Sequence, residues 1–97
     1  MNVIWKYSLA PGDNRVSMPA GAGILHVGNQ ARSPCIWAAV ESAARRVTRT
    51  FVVVGTGHAF DMEHLRYLGT CHIPDPQMMF PNGFVWHVFE KREVRNG

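Results

Sequence analysis

Two short segments hold the residue types best suited to chemistry: Gly55-Thr56-Gly57-His58 and Gly69-Thr70-Cys71-His72, each ending a strand-like run with a glycine, a hydroxyl and an imidazole. Glycine admits close approach of another group, and backbone N–H groups with hydroxyls and imidazoles can together cradle a polar or anionic ligand. The competing reading is turn chemistry, in which glycine serves the backbone and threonine the strand. Arginines and aromatics beside these segments would add charge-assisted bonds to phosphate and faces on which a base can stack. The candidate ligand-binding set is therefore Gly55, Thr56, Gly57, His58, Arg66, Tyr67, Arg49 and Trp86. Trp5, Trp37 and Trp86 have a second role open to them, because large aromatics dominate small cores.

Other chemistries find less support. Neither glycine segment has the length or the lysine of a phosphate-binding loop, nor the strand-to-helix setting of a dinucleotide fingerprint. The five histidines, His26, His58, His64, His72 and His87, could supply zinc together with Cys71, but no close Cys or His pair of the usual kind is present. Cys71 and His72 are adjacent, and adjacent residues on a strand point to opposite faces, so they make a poor nucleophile–base dyad. The seven acids fall at turns and in the tail, outside any apolar run that would raise a carboxyl pKa. The expectation is a non-enzymatic protein with no catalytic residue, no metal and no cofactor.

These residues need elements to hold them. Phe51-Val52-Val53-Val54 is a strong buried-strand signal. Asn2 to Leu9 alternates in the period of a strand with one face in a core, and shorter strands are expected at Arg15–Met18, Ile24–Gly28, His64–Ile73 and Phe84–Glu90. Ala59 to Glu63 reads as a loop or a single helical turn with Asp61 as a cap. Cys35 to Arg46 is ambiguous: alanines and closing arginines suit a helix, while the alternation through Val40 and the polar stretch before Arg49 describe a long β-hairpin. Three prolines between Pro74 and Pro81 keep that stretch off any central ladder, and its Met78, Met79 and Phe80 are an adaptable apolar trio. Six or seven short strands punctuated by Gly and Pro predict an all-β fold, a small antiparallel sandwich or barrel with little helix.

With 97 residues, 46% of them hydrophobic and 18% charged, the chain is expected to be one domain over 1–97 with a charged tail at 91–97. A net charge of +3 permits anionic partners without forming the basic stripe of a nucleic-acid binder. Cys35 and Cys71 predict two reduced thiols. No signal-peptide pattern and no apolar stretch of bilayer length occur, which predicts a cytoplasmic protein without a membrane partner.

Taken together, Ile4-Trp5-Lys6-Tyr7, Met18-Pro19-Ala20-Gly21-Ala22, Cys35-Ile36-Trp37-Ala38, Arg49-Thr50-Phe51, Gly55-Thr56-Gly57-His58, Tyr67-Leu68-Gly69-Thr70 and Val85-Trp86-His87-Val88-Phe89-Glu90 resemble a family of short proteins common in bacteriophage and prophage genomes. The resemblance runs over nearly the whole chain. It implies a compact β-rich domain expressed in a bacterial cytoplasm during infection, and it favours strand for Cys35 to Val40. Ala43-Ala44-Arg45-Arg46 departs from the more polar, acidic linker of that family. The functional expectation is a phage accessory protein, a homo-oligomer, that binds and sequesters a small anionic or nucleotide-like ligand, such as a nucleotide signal of bacterial defence. The alternative is a protein-binding inhibitor of a host or defence enzyme that uses an edge strand or the 78–80 loop. A third reading, single-stranded nucleic-acid binding, requires steep salt dependence.

Overall fold

The apolar alternation resolves into seven strands: β1 (Asn2–Ser8), β2 (Gly12–Pro19), β3 (Gly23–Gln30), β4 (Ser33–Glu41), β5 (Arg46–Gly55), β6 (Leu65–Ile73) and β7 (Phe84–Lys91). The structure is a computed structural model and describes residues 1–75, 77 and 83–92. All pairings are antiparallel. One sheet has the order β1-β4-β3 and the other β2-β5-β7-β6, so the fold is all-β, a sandwich of two sheets with no closed barrel. Among the described residues there is no helix, hence none long and apolar enough to cross a membrane. The shortest dimension of the Cα trace is 16 Å, which suits two pleated layers about 10 Å apart.

The core forms where alternate residues of the two sheets meet. Met18, Phe51, Val53, Cys71 and Val88 from the four-stranded sheet pack with Val27, Ile36, Ala38 and Val40 from the three-stranded one. Trp5 and Trp86 are partly buried against this cluster, so both belong chiefly to packing. Trp37 instead pairs with Ile36's neighbour strand on the opposite parity, its ring 5.6 Å from that of His26.

Three expectations change. Cys35 to Val40 is indeed strand, but β4 and β5 lie in different sheets, so the segment between them is a crossover from layer to layer and not the tip of a hairpin. β5 finds its neighbours in β2 and β7, and β7 inserts between β5 and β6. The 59–63 segment has no helical turn; Asp61 Oδ1 accepts the Glu63 N–H at 2.9 Å, an Asx-type turn that leads into β6. The tight hairpin of the fold is β3–β4, closed by Ala31 (φ 52°) and Arg32 (φ 66°). Turns of that type normally announce themselves by Asn-Gly, so an Ala-Arg pair carried no such signal.

The loop between β5 and β6 lies across the outer face of the four-stranded sheet. There Phe60 meets Phe89 at 5.3 Å and Tyr67 meets the same ring edge-on at 5.6 Å. This cover leaves Val54 buried although it points away from the core, which explains an unbroken apolar run where a one-sided strand would alternate.

Candidate functional site

The two Gly-Thr-x-His segments do come together, but on each other. β7 runs between them, and His87 accepts or donates on both ring nitrogens: Thr56 Oγ1 lies 2.7 Å from Nε2 and Thr70 Oγ1 lies 3.0 Å from Nδ1. Tyr67 Oη extends the chain, 2.5 Å from Thr70 Oγ1. A neutral imidazole has one donor and one acceptor, so the hydroxyls align in a single direction along this row. Both threonines are thus committed to bridging β5, β7 and β6. Their job is to lock three strands in register across the outer face, and His87 is the hub that sequence reasoning missed.

The glycines of these segments have packing and turn roles. Gly57 adopts φ 89°, the left-handed region that a side chain disfavours. At Gly69 a Cβ would stand 2.9 Å from Val27 Cβ, so the missing side chain is what lets β6 approach β3. Gly55 leaves room for His58 and Trp86, whose rings make an edge-on contact at 6.5 Å. Trp86 also lines a cleft of ≈ 320 Å³ with Arg32, Ile73, Phe84 and others.

Arg49 and Arg66 lie at the other end of β7. Arg49 shares its strand parity with buried Phe51 and Val53, and Glu90 shares its parity with buried Val88. The two meet in a bidentate pair, Nε to Oε2 at 2.6 Å and Nη2 to Oε1 at 2.7 Å, while Arg49 Nη1 donates to the Ala22 carbonyl at 2.5 Å. The hydrogen bond from Glu90 holds the Arg49 guanidinium above its ordinary pKa, against the opposing effect of burial. Arg66 reaches the same carboxylate oxygen from β6, Nη2 to Oε1 at 3.1 Å, but is itself half exposed.

Around this carboxylate the surface is concave and basic. A cleft of ≈ 520 Å³ is lined by Gly21, Arg49, Arg66, Glu90, Lys91 and Arg92, and an adjoining one of ≈ 420 Å³ adds Arg45, Thr48 and Thr50. Five of the ten basic residues of the chain line these two clefts, against one acid. The predicted set therefore separates into three places: Thr56 and Tyr67 in the His87 row, Gly55 and His58 with Trp86 at one end, and Arg49 with Arg66 at the basic end. Gly57 forms the turn that joins the first two. His58 and Arg66 share no cleft within the chain.

Glu90, Lys91 and Arg92 were absent from the sequence-based set. A signal for Glu90 existed: counting by twos from Val88 places an acid on the core-facing side, where only a cation could accompany it. Cys71 faces the core and His72 is exposed, so they form no dyad, and burial together with the nearby Cys35 pushes the Cys71 thiol up. Both thiols are free. Among the described residues no group of three or more His, Cys, Asp or Glu could hold a metal ion. The Met78-Met79-Phe80 trio lies outside the described residues.

The chain matches the family described as Domain of unknown function (DUF7352) over residues 1–97, and it belongs to that family. No curated protein and no solved structure matches it.

Proposed function

We propose that this DUF7352 domain binds a small, multiply charged anion in the basic cleft at the Glu90 end of the sandwich and sequesters it without turnover. The observation that carries this reading is the gathering of Arg45, Arg49, Arg66, Lys91 and Arg92 around the single carboxylate of Glu90 in an open concavity. Arg49 is the anchor: its fork is spent on Glu90 and the Ala22 carbonyl. Arg66 is the exchangeable group. Its one bond to Glu90 falls on an oxygen that Arg49 already holds, so a phosphate can take Arg66 over and leave Glu90 compensated. Lys91 and Arg92 supply further charge at the rim.

Small clefts of this size suit diphosphates and nucleotides better than a polymer, and the phage resemblance makes a nucleotide signal of bacterial defence a fitting ligand. Equilibrium dialysis against pyrophosphate, ATP and a cyclic dinucleotide at low salt tests this. Retention of at least one of them, recovered chemically unchanged, is expected. Failure to retain any, or recovery of a cleaved product, overturns the reading.

A further inference from the structure

Each sheet of a sandwich ends in two edge strands whose outward N–H and C=O groups invite another chain, and folded proteins usually blunt them with charge, proline, a bulge or cover. Three of the four edges here are blunted. β2 carries Asp13 and Arg15 and ends on Pro19. β3 is bulged at Leu25, and β6 is bulged at Leu68, with Val27 of β3 packed directly on Gly69 of β6. β1 has none of these devices. It pairs with β4 without a register shift, contains no proline or glycine, and no backbone hydrogen bond to Asn2–Ser8 comes from outside that ladder among the described residues.

Its one charge does not guard the edge either. Lys6 Nζ reaches back across β4 to hydrogen-bond Gln30 Oε1 on β3. Beside it Val3 and Ile4 remain 44% and 63% exposed. A regular, uncharged, seven-residue edge with exposed branched side chains is built for strand addition.

We propose that β1 is a self-association edge that pairs antiparallel with β1 of a second copy about a two-fold axis at Trp5. This register pairs all seven residues: Asn2 with Ser8, Val3 with Tyr7, Ile4 with Lys6, and Trp5 with itself. It sets branched and aromatic residues opposite each other on the core-facing side and keeps the two Lys6 ammonium groups apart. The contact is isologous, so it closes at two copies, and it fuses the two three-stranded sheets into one of six strands. A second copy is favoured over a foreign peptide because the strand is its own complement in residue type and charge.

Ile4→Lys is the test. In the proposed register the introduced ammonium stands opposite Lys6 of the second copy, twice per dimer, while in the isolated chain it points into water. Sedimentation equilibrium of the wild-type chain is expected to show a monomer–dimer equilibrium, and Ile4→Lys to weaken its dissociation constant by about tenfold or more with an unchanged circular dichroism spectrum. Hydrogen exchange of wild-type protein gives an independent readout: β1 amides slow as concentration rises. A wild-type chain that stays monomeric, or a dimer whose β1 amides exchange at a concentration-independent rate, overturns the proposal.

Discussion

Glu90 is where stability and the proposed binding oppose each other. Its carboxylate, 13% exposed, compensates Arg49, 19% exposed, and draws in Arg66. Removing one member of such a pair leaves a charge without its partner in a poorly hydrated place. Glu90→Gln is therefore expected to cost about 2–4 kcal/mol, a fall in Tm of roughly 10–20 °C for a domain of this size. A thermal melt unchanged within a few degrees would show that the pair is not structural. Cys71 gives a second residue-level consequence. Its thiol is raised above the ordinary 9.0 by burial first and by Cys35 second, so the unfolded chain gives up the proton before the folded one does. Stability is then whole below that pH and declines as pH rises toward the folded-state value. Denaturant unfolding between neutral pH and strongly alkaline pH checks this: Cys71→Ala should flatten the alkaline decline, and parallel curves for the two proteins would contradict it.

Among the elements, the junction of β3 with β6 governs how the two sheets close. The methyl of Gly69→Ala would meet Val27 Cβ, an atom fixed to its own backbone that cannot swing aside. The substitution should destabilise the fold by about 1–3 kcal/mol, and Val27→Ala should recover part of that loss in a double-mutant cycle. Additive effects at these two positions would argue against the contact. The strands were the legible part of the sequence. Branched and aromatic runs, and the alternation from Val3 to Leu9, mark them because half-buried pleated surfaces select such residues. Their partners were not legible, since nothing local to Glu41–Arg46 tells a hairpin tip from a passage between layers. The same holds for the candidate site. The Gly-Thr-x-His echo is real as a geometric relation, but the residue that unites its halves, His87, lies on a third strand whose insertion between the other two is a property of topology alone.

Over the whole molecule, what matters is where charge is placed rather than its total. The net charge of +3 is modest, yet half of the basic residues line one end of the sandwich, where Glu90 is the sole acid among the lining residues. The opposite end, by Trp86 and Phe84, presents aromatic rings. That polarity gives an anion one place to bind, and the bare β1 edge lies on a different element from the cleft, so self-association and anion binding can be broken separately. The most direct test of the binding claim is calorimetric titration of pyrophosphate into the wild-type chain, Arg66→Gln and Glu90→Gln under conditions where all three are folded. The account predicts measurable binding by the wild type, affinity lowered by about tenfold or more in Arg66→Gln through loss of a charge-assisted bond, and affinity raised in Glu90→Gln through loss of the competing carboxylate. Equal affinities in the three proteins, or no binding by the wild type, would contradict it.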